Sequence, residues 1–353
     1  IITTMKYSII VPVFNRPDEV AELLESLTMQ TFHDFEVIIV EDGSKVTCEA
    51  VCRQYKERLD IKYFMKDNSG PGQSRNYGAA HSTGEYLLIL DSDVVLPTRY
   101  LAAIEEELRR EPADAFGGPD CAHESFTDKQ KAISYAMTSF FTTGGIRGGK
   151  KKLDKFYPRS FNMGIRRDVY ETLGGFSKMR FGEDIDFSIR IFKAGYSCRL
   201  FPKAWVWHKR RTDFRKFWRQ VYNSGIARIN LYKKYPDSLK LVHLLPMVFT
   251  LGCAFLAFLF LLGIILFFVL PAGMPQATGL GLSILALQPL ILYSFLIFAD
   301  ATSKNNSAKI GILSIAAAFI QLTGYGCGFL EAWWKRCVLG KDIFSAYEKN
   351  FYK

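Results

Sequence analysis

The sequence predicts an α/β domain with a mostly parallel sheet, followed by transmembrane helices. Three observations point there. Short β-rich runs alternate with helical patterns through the first 90 residues. Three of the runs end in polar residues: Phe14-Asn15-Arg16, Glu41-Asp42-Gly43-Ser44 and Asp91-Ser92-Asp93. Residues 243–337 then turn strongly apolar, in a chain of 353 residues with a formal charge of +10.

The elements follow in order. Residues 7–13 (YSIIVPV) form a β-rich run, and residues 18–28 carry a helical stripe at Val20, Leu23, Leu24 and Leu27. Residues 36–40 (EVIIV) and 61–65 (IKYFM) read as strands, with a helix over 48–59 between them. A helix over 72–82 leads to the strand 86–90 (YLLIL). The β-α-β-α order implies a parallel sheet with helices on both faces, and ligands in such sheets bind beyond the carboxyl ends of the strands. Phe116-Gly117-Gly118-Pro119 reads as a turn and residues 129–141 as helical. Residues 144–155, rich in Gly and Lys, read as a loop. Phe161-Asn162-Met163-Gly164 leads into a helix over 168–173, and Gly182-Glu183-Asp184-Ile185-Asp186 opens another that ends at Gly195. Residues 197–206 read as one strand, followed by Trp207-His208.

Residues 243–270 are almost uncharged. As a helix of about 28 residues they would measure roughly 42 Å, against a bilayer core of roughly 30 Å. Residues 280–299 and 310–330 are further spans, with Trp333-Trp334-Lys335-Arg336 as an interface anchor. Three spans leave the basic stretch from Lys335 to the end on the outside, against the positive-inside tendency, unless one segment is re-entrant or interfacial. The expected organisation is an α/β domain over 5–240, a membrane region over 241–337 and a basic amphipathic tail over 338–353. Residues 1–4 precede Met5 and are left open as native or added.

The basic balance comes without a nucleic-acid-binding signature, so it fits an anionic membrane surface and anionic substrates better than nucleic acid. Lys150-Lys151-Lys152, with Arg147 and Lys155, suits either an anionic partner or a solvated loop. Seven dispersed cysteines lack zinc-type pairing and fit a reducing compartment. Residues 9–13 are too short and too β-like for a signal peptide.

Asp91 and Asp93 carry the most chemistry. Two carboxylates one residue apart repel unless a cation lies between them, and Mg2+ and Mn2+ take oxygen ligands. Taken alone, an Asp-x-Asp is more often a turn or cap. Six stretches in order change that balance: SIIVPVFNR (8–16), VIIVEDGS (37–44), NSGPGQSRN (68–76), GEYLLILDSD (84–93), FNMGIRRDVYETLGGF (161–176) and GEDIDF (182–187). Together they resemble glycosyltransferase family 2 over residues 5 to about 230, in its membrane-anchored bacterial type.

That resemblance implies a GT-A fold, an inverting reaction, a nucleotide-sugar donor and a divalent metal, Mn2+ or Mg2+. It implies that Pro12 and Phe14 line a base pocket and that Asp42 accepts hydrogen bonds from the base. Asn68 and Gly70 would let the backbone approach the nucleotide, and Arg75 would pair with the diphosphate or with an acidic neighbour. Asp93 would be the direct metal ligand and Asp91 would face ribose or metal. His208 would complete the coordination, or simply pack beside the two tryptophans. Asp184 would be the base that takes the acceptor proton, with Glu183 and Asp186 orienting it or favouring a helix N-terminus. Asn162 would shape the acceptor side.

Processive synthases of this family carry a Q-x-x-R-W motif. Here residues 214–220 read FRKFWRQ, the wrong arrangement, and the spans are few for a polymer channel. The expected acceptor is therefore a hydroxyl of a lipid or lipid-linked saccharide. The expected location is the inner membrane, multi-pass, with the catalytic domain cytosolic. Rival readings are transfer to a polyprenyl phosphate, a catalytically silent membrane scaffold or transport component and, more distantly, a nucleic-acid binder.

Overall fold

The computed structural model describes residues 6–121, 126–143, 156–179, 181–209 and 212–341. Along the chain these form β1 (Tyr7–Val13), α1 (Pro17–Thr28), β2 (Phe35–Asp42), α2 (Glu49–Tyr55), β3 (Ile61–Lys66), α3 (Pro71–Ala80), β4 (Tyr86–Leu90), β5 (Val94–Val95) and α4 (Tyr100–Arg110). Next come β6 (Ala115–Gly117), β7 (Asp120–Cys121), α5 (Asp128–Thr138), α6 (Phe140–Thr143), β8 (Asn162–Arg166), α7 (Arg167–Thr172), α8 (Glu183–Lys193), β9 (Cys198–Leu200) and β10 (Val206–His208). The chain continues with α9 (Phe214–Lys234), α10 (Leu245–Val269), α11 (Met274–Asn305) and α12 (Ala308–Trp333).

These elements sort into two compact units. The first holds all ten strands with α1–α4, α7 and α8. Among the described residues its main sheet has seven strands in the order β3-β2-β1-β4-β8-β6-β9. The pairs β3-β2, β2-β1, β1-β4 and β6-β9 are parallel, while β8 runs antiparallel to β4 and β6. The mostly parallel sheet expected from the β-α alternation is therefore present. β1 sits mid-sheet, with Ile9 opposite both Val37 and Leu88. Its side chains alternate between two cores. Tyr7, Ile9, Val11 and Val13 pack with Val20, Leu23, Leu24 and Leu27 of α1 and with Leu101, Ile104 and Leu108 of α4. Ile10 packs on the other face with Ala79 of α3, Val169 and Tyr170 of α7, and Phe187 and Ile191 of α8. Full burial of one such side chain contributes about 1.5–3 kcal/mol.

A second sheet, β5-β10-β7, bears directly on the site. β10 runs antiparallel to β5 with His208 opposite Val94, so a histidine more than a hundred residues downstream lies next to Asp93. Three local expectations change. Residues 116 and 117, read as part of a turn, belong to β6. Residues 162–166, read only as a lead into a helix, are β8. The single strand over 197–206 is two, β9 and β10, with Pro202 between them; proline cannot donate to a ladder.

The second unit holds α5, α6 and α9–α12. It therefore begins ahead of residue 241 and takes in α5, α6 and α9, which the sequence grouped with the α/β domain. Thr127 opens α5 with a capping box to Gln130. Among the described residues, three helices are long and apolar enough to cross a membrane: Leu241–Val269, Gln276–Asn305 and Ala308–Val338. α11 ends at Asn306, whose φ of 48° is left-handed, and Ser307 at once caps α12 through the amide of Ile310. α9 and α12 approach backbone to backbone. A Cβ on Gly225 would lie 2.2 Å from the Tyr325 carbonyl, and one on Gly328 would lie 2.0 Å from the Tyr222 carbonyl. Small residues at such contacts let two helix backbones approach closely. The basic run at 150–152 and residues 342–353 of the expected tail lie outside the described residues.

Candidate active site

β1, β2 and β4 are parallel neighbours, so their carboxyl ends share one edge. At the end of β1, Pro12 is half-buried and Phe14 is 48% exposed, an aromatic face turned to solvent. Asn15 follows with φ +55°. Its amide donates to Ser44 Oγ (2.7 Å), and its Oδ1 accepts from the amides of Lys45 (2.8 Å) and Val46 (3.0 Å). Ser44 Oγ in turn donates to the buried Glu41, which also accepts from the Cys48 amide at 2.9 Å. The loops after β1 and β2 are thus laced together.

Asp42 is buried. Its Oδ1 accepts from the Ser69 amide (2.9 Å) and from Lys66 (2.5 Å), and its Oδ2 accepts from the Gly70 amide (2.9 Å). It therefore orders the stretch that carries Asn68 and Gly70. Lys66 was not singled out in the sequence. It ends β3 directly opposite Asp42 in register, and that placement is the signal that could have found it.

At the end of β4, Asp91, Asp93 and His208 bring ligand atoms within 4.8 Å of one another. Asp93 Oδ1 lies 3.2 Å from His208 Nε2, and Oδ2 accepts from Arg16 at 2.9 Å. Phe161 stacks on the His208 ring at 4.7 Å and fixes its plane. Two carboxylates and an imidazole converging at this spacing suit a divalent cation such as Mn2+. The residues present therefore fit the metal that the sequence implies.

The second acidic pair begins α8. Gly182 caps that helix with φ +83°, a conformation a side chain would strain, and so turns the chain into the helix. Glu183 is 8% exposed and pairs with Arg75 at 3.0 Å; Arg75 also holds Asp91 Oδ1 at 2.9 Å. The two acidic centres are therefore joined through one buried guanidinium, with Arg75 paired to acidic neighbours. Burial pushes the Glu183 carboxyl up to about 7, with Arg75 opposing and Asp184 adding to the rise. Burial works against the charge on Arg75, but Asp91 and Glu183 outweigh it and keep it cationic.

Asp184 is less buried. Its Oδ1 accepts from the Ile185 amide (2.8 Å), and Arg159 faces its Oδ2 at 3.5 Å. Asp186 is fully buried and bonds Arg190, which ties down the carbonyls of Leu173 and Gly175. That is a structural role. Asn162, paired opposite Leu90, is also buried: it donates to the Ala204 carbonyl (2.8 Å) and accepts from Tyr100 (2.7 Å). It can shape its surroundings only by holding β4, β8 and the 201–204 turn together. Arg16 and Arg159, like Lys66, are charged residues of the site to which the sequence gave no role.

Residues 8–174 match the family model described as Glycosyl transferase family 2. This part of the chain belongs to glycosyltransferase family 2. An uncharacterized glycosyltransferase of Rickettsia felis is 33% identical over 137 residues, 39% of this chain and 22% of the relative. Another, from Haemophilus influenzae, is 31% identical over 194 residues, 53% of this chain and 62% of the relative. The chain thus spans less than two thirds of the length of either. Among solved structures, the mannosyltransferase PcManGT from Pyrobaculum calidifontis, in complex with GDP-Man and Mn2+, aligns with a TM-score of 0.55. The alignment covers 94% of this chain and 88% of that one at 16% identity, a likeness of fold. That fold is the GT-A fold expected from the motifs.

The family 2 match ends before α8, so the roles of Glu183, Asp184 and His208 rest on their geometry. Within the glycosyltransferase domain, Arg75 gives the clearest stability prediction. Arg75→Met removes the sole guanidinium between Asp91 and the buried Glu183. The expected loss is about 3–5 kcal/mol of unfolding free energy, the usual cost of stranding a buried charge. Denaturant unfolding measures it, and a loss under about 1 kcal/mol would contradict the bridging role.

Proposed function

We propose that this protein is a membrane-bound, metal-dependent, inverting glycosyltransferase. It moves a sugar from a nucleotide-sugar donor to a hydroxyl of a lipid or lipid-linked saccharide. The observation that carries this reading is the pair of acidic centres joined through Arg75: Asp91, Asp93 and His208 on one side, Glu183 and Asp184 on the other. An inverting displacement by a hydroxyl acceptor uses both halves, one for the leaving group and one for the acceptor proton.

Asp91, Asp93 and His208 would hold the cation, which when bound would neutralise charge developing on the departing diphosphate. Phe14 and Pro12 offer an apolar face for the base, and Asp42 keeps the 67–70 stretch in place beside it, with Asn68 and Gly70 toward the nucleotide. Asp184 takes the acceptor proton as the hydroxyl oxygen attacks the anomeric carbon, and the bond from that carbon to the diphosphate oxygen breaks. Arg75 holds Asp91 and Glu183 at a fixed spacing, so donor and base sides keep their relation. Three apolar helices in the same chain favour an acceptor that lives in a bilayer. The proposed location is the inner membrane, with the catalytic domain on the cytosolic side where nucleotide sugars are made.

Transfer to a polyprenyl phosphate is the second reading. Arg159 beside Asp184 favours it, because a cation there suits an anionic acceptor. The primary test incubates the protein with membrane lipids and a panel of nucleotide sugars, with Mn2+ or Mg2+. Nucleoside diphosphate release and mass spectrometry of the lipids are the readouts. Release that stops with a chelator, together with a glycosylated lipid, supports the proposal. No turnover with any donor would favour a silent scaffold.

A further inference from the structure

Arg16 is the charged group of the site for which neither the family motifs nor the two acidic centres supply a role. Its placement is costly, which argues that it matters. Asn15 occupies the left-handed region that non-glycine residues rarely use. Three hydrogen bonds to the β2 loop hold it there. The chain therefore turns sharply after β1, and the next side chain reaches the end of β4. Arg16 Nη1 donates to Asp93 Oδ2 at 2.9 Å and to Glu19 Oε2 at 2.7 Å, and a third of its side chain is exposed.

A divalent cation held by Asp93 and the guanidinium of Arg16 seek the same carboxylate. Arg16 holds Asp93 Oδ2 while Oδ1 faces His208, so two positive charges would share one carboxylate a few ångströms apart and repel strongly at partly buried positions. Glu19 supplies a second carboxylate on the same nitrogen, so Arg16 can leave Asp93 without losing its counter-charge. We propose that Arg16 is a displaceable counter-ion: it holds Asp93 until a divalent cation takes that carboxylate, and then pairs with the diphosphate the cation carries. This rests on reading Asp91, Asp93 and His208 as cation ligands. Its consequence is coupling. Cation alone must displace Arg16 at a cost, whereas cation with diphosphate gives the guanidinium a new anion. Each then favours the other's binding.

The test uses the full chain in detergent and two probes, Mn2+ alone and Mn2+ with pyrophosphate, followed by calorimetry. Arg16→Gln is expected to bind Mn2+ alone at least about tenfold more tightly than the unchanged protein. It should bind the Mn2+–pyrophosphate pair no more tightly, so the advantage of the pair shrinks by about the same factor. Lys209→Gln is the charge control. Lys209 lies next to His208, but its Nζ pairs with Glu22, and its loss should leave Mn2+ affinity within about twofold. Arg16→Lys, which keeps the charge without the planar fork, is the second variant should the glutamine form not fold. Mn2+ affinity unchanged in Arg16→Gln, or raised equally in Lys209→Gln, overturns the inference while leaving the cation site intact. An unchanged protein that binds no Mn2+ overturns the cation reading, and the inference with it.

Discussion

Asp93→Asn is expected to abolish Mn2+ binding and lower turnover roughly a thousandfold, with the fold intact. Two effects compete in that substitution. Asparagine keeps the size of the side chain and can still accept from Arg16, and losing a carboxylate eases the repulsion between positions 91 and 93. Both favour a folded protein. Against this, the cation loses a charged ligand that His208 and Asp91 cannot replace. Lewis-acid stabilisation of a departing diphosphate is worth several kcal/mol, and each 1.36 kcal/mol is about a factor of ten in rate. The chemical effect therefore dominates. Asp91→Asn should cost less, because Arg75 already occupies Asp91 Oδ1. Calorimetric titration with Mn2+ and steady-state turnover at saturating donor measure both. Asp93→Asn turning over within about threefold of the unchanged protein would remove Asp93 from the cation site.

What made Asp91 and Asp93 legible also explains what was not. β1, β2 and β4 are buried on both faces, so they appear as unbroken apolar runs, and a carboxylate at the end of such a run stands out. β8 gives no such signal. It is short and contains Gly164, whose place is set by a residue far away: a Cβ there would lie 2.1 Å from Phe116 Cζ. β6 ends at Gly117, beside Gly118 and Pro119, and those residues read as a turn in isolation. α9 carries Asn223, Gly225 and Asn230 on its buried face, which blurs the apolar period. Gly225 has a reason only once α12 lies against it.

The same distinction runs through the site. The carboxylates were legible because each closes a local pattern. The specific pairings were not: Arg75, for which an acidic neighbour was one option, meets Glu183 across 108 residues, and Arg16 meets Asp93 across 77. Pairing at such separation is decided by the sheet order, and nothing within a dozen residues of Arg16 encodes it. The three helices long and apolar enough to cross a membrane were the easiest elements to find, since length and apolarity suffice. Their ends were harder. α11 runs on through Asp300 and Lys304 to Asn305, because a polar helical turn at a span's end breaks no rule until Asn306 reverses the backbone.

Asp184→Asn should separate the two acceptor classes. Asparagine is nearly the same size and can still accept from the Ile185 amide at the start of α8, so the helix should form as before. It cannot take a proton. For a hydroxyl acceptor, general-base loss costs about a hundredfold to ten thousandfold in turnover, with little change in donor KM. Glu183 is poorly placed to substitute: it is buried, its charged form is disfavoured, and its carboxylate is committed to Arg75. Glu183→Gln should therefore act mainly through Arg75 and Asp91, as a disturbance of the donor side. A phosphate acceptor is already ionised and needs no base, so its transfer should survive Asp184→Asn nearly unchanged. Single-turnover assays with a lipid alcohol saccharide and with a polyprenyl phosphate measure both arms. Loss on the first acceptor assigns Asp184 as base, whereas retained turnover on a phosphate as the only working acceptor removes that assignment. In the latter case Arg159, 3.5 Å from Asp184, becomes the residue to explain, since it is the nearby cation that an anionic acceptor would meet.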